Sequence, residues 1–153
     1  MNRVMLAGFA LALAATHAAA GAPDACTLLT AKDASALAGQ TLSAAPNSGG
    51  INCRYYGAGG PAVLGVEIAV KSEPDSASAH AHFPRWVVPF PGSAGPAVSA
   101  VPQLGDEAAI VHGPVASGVN FRHGAILVKI GVHPPGASDA ALKAAASAVL
   151  GRL

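Results

Sequence analysis

Apolar and polar residues alternate along much of the chain, and this alternation predicts β-strands. In residues 51–56, Ile51, Cys53 and Tyr55 fall on one face, and residues 62–71 show the same two-residue period. Glycine and proline turns separate these runs from shorter apolar runs nearer the C-terminus. The predicted strands cover 51–56, 62–71, 98–101, 107–112, 119–122 and 125–132. The His123-Gly124 pair is the predicted turn between the last two strands.

Capping signals predict helices on either side of these strands. Thr30 and Asp33 have the spacing of a capping box, and Gly39 is expected to end that helix. Ser72 is the expected N-cap of a second helix. We expect the second helix to stop near residue 83, because Pro84 has no backbone N–H to continue it.

A third helix is predicted after Ser138, where Leu142, Ala146 and Val149 fall on one stripe. The order of elements is then helix, two strands, helix, several strands, helix. This order is typical of the α+β class, so we expect an antiparallel β-sheet with about three helices packed mainly on one face.

The N-terminal residues have the features of a secretory signal peptide. Arg3 supplies the positive charge, residues 4–15 are uniformly apolar, and Ala18 and Ala20 form a cleavage pattern. The sequence therefore predicts a signal peptide over 1–20 and a single secreted or periplasmic domain over 21–153. No other segment reaches the roughly 18 uninterrupted apolar residues of a membrane span.

The net charge of the chain limits the classes of partner that we expect. The formal net charge of the chain is +1, and removal of Arg3 with the signal peptide would leave it neutral. No basic stripe with interleaved aromatic residues is present, so we do not expect a nucleic-acid partner.

Cys26 and Cys53 are the only cysteines in the chain. The residues before Cys26 do not form a lipoprotein signal, and two lone cysteines lack the paired spacing of a zinc site. A catalytic thiol at Cys26 stays open, because sequence does not show its pKa or a neighbouring histidine. In an exported chain the simplest expectation is one disulfide between the two cysteines.

Three segments together resemble a group of small secreted or lipid-anchored bacterial domains of unknown function. They are "DACTLLTAKDASALAG", the second cysteine in "CRYY", and "LGDEAAIVHG" with the hairpin that follows it. The plan of that group is Asp-x-Cys-x-Leu-Leu-Thr, a Cys-x-aromatic strand and a Leu-Gly-Asp-x-Ala hairpin. The resemblance implies a disulfide between Cys26 and Cys53 in a compact α+β domain. It implies no catalytic residues.

No motif in the chain commits it to a reaction. The G-x-S-x-G elbow, the phosphate-binding glycine loops and the H-E-x-x-H pattern are all missing from the sequence. The neighbouring carboxylates Asp106 and Glu107 fit turn chemistry better than an acid–base pair. We therefore expect a non-enzymatic protein without a cofactor.

Histidines supply an alternative function, that of a periplasmic transition-metal-binding protein. His80 and His82 would point about 200° apart on a helix, so they could share an ion only in an extended segment. The other histidines of residues 21–153, His112, His123 and His133, have no spacing that demands a shared site. We therefore assign no metal ligand.

The segment "FPRWVVPFPG" is the strongest candidate for a binding element. It gathers Trp86, Phe90 and Arg85 among prolines in a chain with few aromatic residues. Arg54 and Tyr56 are predicted on the sheet face opposite Cys53, and we expect them to extend the same surface. The expected ligand is a protein partner or a small apolar molecule, and the alternative is that Trp86 and Phe90 close one end of the core.

Overall fold

The computed structural model describes residues 21–45, 49–60, 65–87 and 97–153. The predicted signal peptide and Phe90 lie outside these ranges. Within them the chain is α+β, as predicted, with four helices and one antiparallel sheet of seven strands in the order β1-β2-β3-β7-β6-β5-β4. The helices are α1 (Ala25–Leu28), α2 (Ala31–Ala38), α3 (Ser76–Trp86) and α4 (Asp139–Leu150). The strands are β1 (Ser43–Ala44), β2 (Asn52–Tyr56), β3 (Gly65–Ser72), β4 (Ala97–Ala100), β5 (Glu107–His112), β6 (Ser117–His123) and β7 (Ile126–His133).

Helix α2 begins and ends as its sequence predicts. The Thr30 side chain accepts a hydrogen bond from the Asp33 backbone, and the Asp33 carboxylate accepts one from the Thr30 backbone. Gly39 ends the helix in the left-handed conformation at φ 68°, which glycine adopts without steric cost. The N-cap of α4 is also the predicted residue, Ser138.

Helix α3 differs from its prediction at both ends. Ser72 is the last residue of β3, paired with Ile126, and Asp75 is the N-cap, accepting a hydrogen bond from the Ser78 backbone. The helix also continues past Pro84 to Trp86. Pro84 has no N–H for the carbonyl of residue 80, and its ring crowds that carbonyl, but the helix continues for only two more residues.

The structure has four helices rather than about three, and they pack mainly on one face as expected, with α3 alone on the other face among the described helices. On one face, Val128 and Ile130 of β7 belong to the main core with residues of α1, α2 and α4. Leu127 points to the opposite face, where it packs with Ala79 and Phe83 of α3. We call this second side of the sheet the α3 face.

The disulfide joins α1 to β2. The Cα atoms of Cys26 and Cys53 are 5.1 Å apart, and the bond is formed. Cys53 and Tyr55 are buried on the core face as predicted, but Ile51 is 58% exposed. Ile51 lies in the turn before β2, so the alternation does not extend to it.

The β6–β7 turn is also shifted by one residue. It consists of Gly124 and Ala125, because β6 extends through His123. In the described ranges, no helix is both long and apolar enough to cross a membrane.

Candidate functional site

Most of the side chains that the sequence singled out for binding lie on the α3 face, in two separate places. Arg54 and Tyr56 lie on β2, directly opposite Glu67 and Gly65 of β3. Their side chains alternate with the buried Cys53 and Tyr55, so they belong to the α3 face. Arg85 and Trp86, at the end of α3, are on this same side of the sheet.

A recess of about 230 Å³ lies where α3 ends over the sheet. We call it the Trp86 recess. Its lining residues come from β3, α3 and β7, and they are Lys71, His82, Arg85, Trp86 and Leu127. Leu127 is fully buried, whereas Arg85 is exposed, so the recess combines an apolar residue with a basic rim.

The indole nitrogen of Trp86 is buried and has no hydrogen-bond acceptor in the described part of the protein. Such an orphaned donor is unfavourable, because it has lost its contact with water without replacement. The Nζ atom of Lys129 lies 5.1 Å from the centre of the Trp86 ring, within the range of a cation–π contact. Burial lowers the pKa of Lys129, and the nearby charge of Glu67 opposes that change.

Glu73 positions two of the basic side chains of the recess. Its Oε1 atom is 2.6 Å from Lys71 Nζ and 2.9 Å from His82 Nδ1, and Glu73 itself is only 7% exposed. Among the described residues neither Glu73 Oε1 nor His82 Nδ1 has a partner in well-directed hydrogen-bond geometry, so these are close polar contacts. Contacts with Lys71 and then His82 hold the pKa of Glu73 below its usual value, so the carboxylate stays ionised.

Arg54 and Tyr56 line a separate recess of about 190 Å³ at the other end of β3. The Tyr56 ring lies across Gly65, and Arg54 Nε is 3.6 Å from Glu67 Oε2. Gly65 and Lys71 are six positions apart on β3, which places the two recesses roughly 20 Å apart. The predicted site residues therefore share one face but divide between two recesses.

Another cavity, of about 660 Å³, was not predicted from the sequence. It lies between the end of α2 and the loop before α4, and its lining includes Gln40, Pro134, Pro135 and Ala141. Its lining residues are uncharged, so its shape alone offers little to select a ligand.

His80, His82 and His112 each contact a different carboxylate. His80 Nδ1 is 2.6 Å from Glu107, whereas His82 contacts Glu73, as expected for side chains that diverge on a helix. In the ranges that the structure describes, no three His, Cys, Asp or Glu side chains gather into a potential metal site.

His112 forms part of a chain of polar contacts that sequence analysis missed. Its Nδ1 is 3.0 Å from Ser117 Oγ and its Nε2 is 2.7 Å from Asp139 Oδ1. The order of groups resembles that of a nucleophile, a base and an acid. Ser117, however, is only 2% exposed, so its hydroxyl is closed to a substrate. These contacts connect the start of α4 to β5 and β6.

Asp106 and Glu107 bind a buried arginine. Arg122 is 8% exposed; its Nε donates to Glu107 at 2.7 Å and its Nη1 to Asp106 at 3.0 Å. Asp106 also accepts a hydrogen bond from the Gly124 backbone, which fits the predicted turn role. Ser76 contacts the same arginine, so this cluster fixes the start of α3 on the sheet.

Comparisons of the chain with protein-family models, with curated proteins and with solved structures gave no match. The resemblance to small secreted domains thus stays a prediction.

Proposed function

We propose that this protein is an exported, non-catalytic binding domain that engages a protein partner or a small ligand through the α3 face. The Trp86 recess is the main contact in this proposal. Export rests on the predicted signal peptide together with the disulfide, since disulfides persist in oxidising compartments.

The observation that carries the proposal is the recess itself, where Trp86 meets the basic side chains of Lys71, His82 and Arg85. Tryptophan and arginine are also the residue types that contribute most at binding surfaces, and Trp86 and Arg85 are neighbours here. The buried hydroxyl of Ser117 supports the non-catalytic part of the proposal.

Native mass spectrometry of the full-length gene product, recovered from the exported fraction, tests this function. We expect a chain that starts at Gly21, lacks the two thiol hydrogens, and carries a bound small molecule or partner. Trp86→Ala should remove the bound mass, while urea unfolding of this variant stays cooperative.

Lys143→Gln is the matched control, because Lys143 is exposed on α4, on the other side of the sheet. It should keep the bound mass. A bound mass that survives Trp86→Ala unchanged would place the contact elsewhere and contradict the proposal, as would a wild-type chain that carries nothing.

A further inference from the structure

We infer that the Trp86 recess binds a small carboxylate carrying a single flat ring, of the size of benzoate. This inference rests on the proposed function and names the ligand class of the same site. Three properties of the recess define that class: its volume, its excess of donors and its apolar walls.

The volume fits one substituted ring. A cavity of about 150 Å³ is enough to hold benzene. The Trp86 recess has about 230 Å³, so a ring and one short substituent fill it. Larger ligands would extend into solvent past the exposed side chain of Arg85.

The polar groups around the recess favour a ligand that has hydrogen-bond acceptor oxygens. Lys71, His82 and Arg85 line the recess as basic side chains that can donate hydrogen bonds. The neighbouring acid, Glu73, is already shared between Lys71 and His82. A carboxylate supplies two oxygens, which suits the planar guanidinium of Arg85. An amine would add a further cation to this basic surface.

The walls favour a flat apolar body rather than a bare inorganic anion. The Trp86 ring offers an aromatic surface, and Leu127 is a fully buried aliphatic neighbour. Aromatic rings pack against one another in offset or edge-on geometries and gain free energy from the buried area. Inorganic phosphate would satisfy the donors but leave these apolar surfaces unused.

The experiment is a titration of the signal-free full domain, residues 21–153, at constant ionic strength. Trp86 is the only tryptophan of the chain, so intrinsic tryptophan fluorescence reports directly on this recess. The probes are benzoate, the neutral benzamide of almost the same shape, and inorganic phosphate. We expect saturable binding of benzoate, at least tenfold weaker binding of benzamide, and no saturable response to phosphate.

Two charge-removing variants sharpen the test, with calorimetry as the readout. Arg85→Gln should weaken benzoate binding about tenfold, equivalent to about 1.4 kcal/mol. Lys143→Gln should leave it unchanged, since its side chain is on the other side of the sheet. Urea unfolding of both variants checks that each is folded.

The outcomes separate this inference from the proposed function. If the domain bound benzamide or inorganic phosphate as tightly as benzoate, the proposed ligand class would be wrong. The recess could then still be the binding site of the proposed function. If benzoate did not bind saturably, the ligand class would also be wrong. Loss of the co-purified mass in Trp86→Ala would in that case still support the proposed binding function. If Lys143→Gln weakened benzoate binding as much as Arg85→Gln does, the effect would come from the net charge of the protein. That result would overturn the inference.

Discussion

The hydroxyl of Tyr55 donates a hydrogen bond to the backbone carbonyl of Leu29, which lies between α1 and α2. Both residues are almost fully buried. Tyr55 is two positions from Cys53 on the same face of β2, so a covalent bond and a hydrogen bond join the N-terminal helices to one strand.

Removal of the Tyr55 hydroxyl should destabilise the domain. Tyr55→Phe leaves the buried Leu29 carbonyl without this donor, and we expect the free energy of unfolding to fall by about 1–2 kcal/mol in urea titrations. Tyr56→Phe is the matched control, because Tyr56 is only partly buried on the opposite face. Equal losses in the two variants would show that the hydrogen bond is not the cause.

The same hydroxyl should make stability depend on pH in the alkaline range. Burial, followed by the charges of Asp33 and Asp24, raises the pKa of Tyr55 from 10.0 to about 12. A group whose pKa is raised by folding stabilises the protein fully below its unfolded pKa. This contribution should therefore be lost between pH 10 and about 12. Urea midpoints measured across that range should fall less steeply for Tyr55→Phe, and parallel curves would contradict the assignment.

Loss of the disulfide should cost more than any single hydrogen bond. On the chain-entropy model, a closed loop of about 28 residues contributes roughly 3–4 kcal/mol. We expect Cys26→Ala/Cys53→Ala to lower the free energy of unfolding by that amount, measured in urea. Reducing agent should bring the wild type near the double variant and leave that variant unchanged. A reduced wild type with the midpoint of the oxidised protein would refute this.

Two cross-strand arginine–glutamate pairs should differ sharply in their contribution to stability. Arg122 is buried and directly opposite Glu107, whereas the side chain of Arg54, opposite Glu67, is 62% exposed. Arg122→Gln should cost about 3–5 kcal/mol, because it leaves a partly buried carboxylate without its cation. Arg54→Gln should cost less than about 1 kcal/mol. Thermal and urea unfolding of both variants measure the contrast, and similar costs would contradict it.

Alanine substitutions at Gly105 and Gly124 should distinguish the cost of backbone strain from the cost of steric overlap. Both have positive φ, at 63° and 56°, but a Cβ at Gly105 would overlap the backbone oxygen of Arg122, whereas one at Gly124 meets no atom within 4 Å. Gly124→Ala should cost about 1 kcal/mol through backbone strain alone. Gly105→Ala should cost clearly more, because a backbone atom has to move. If Gly105→Ala and Gly124→Ala had equal free energies of unfolding, the backbone around Gly105 would have relaxed to remove the overlap.

Local signals along the sequence predicted much of the fold. Thr30, Asp33, Gly39 and Ser138 are located as expected because caps depend on neighbours within one turn. Ser72 was wrong for the opposite reason: its place in β3 depends on pairing with Ile126, which is far away in the chain. The position of α3 on the second face rests on contacts such as that of Ser76 with Arg122, which no local pattern encodes.

The candidate site was predictable in its residue types but not in its arrangement. Trp86 and Arg85 were conspicuous because aromatic residues are scarce in this chain. Their neighbours Lys71 and Leu127 come from strands whose order, β3 beside β7, is set by the whole sheet. Nothing in the sequence indicated that Glu73 belongs to the site, since this role depends on Lys71 and His82 converging on one carboxylate.

The disulfide also decides how the domain would carry a mechanical load. A force applied at the two ends would pass from Cys26 straight to Cys53 across the sulfur bridge. The segment between them, which includes α2 and β1, would be shielded from tension and would not lengthen. The fully stretched protein would be shorter by roughly 90 Å than the same chain with reduced cysteines. Reduction of the disulfide would thus let the segment between the two cysteines extend under force, in addition to destabilising the fold.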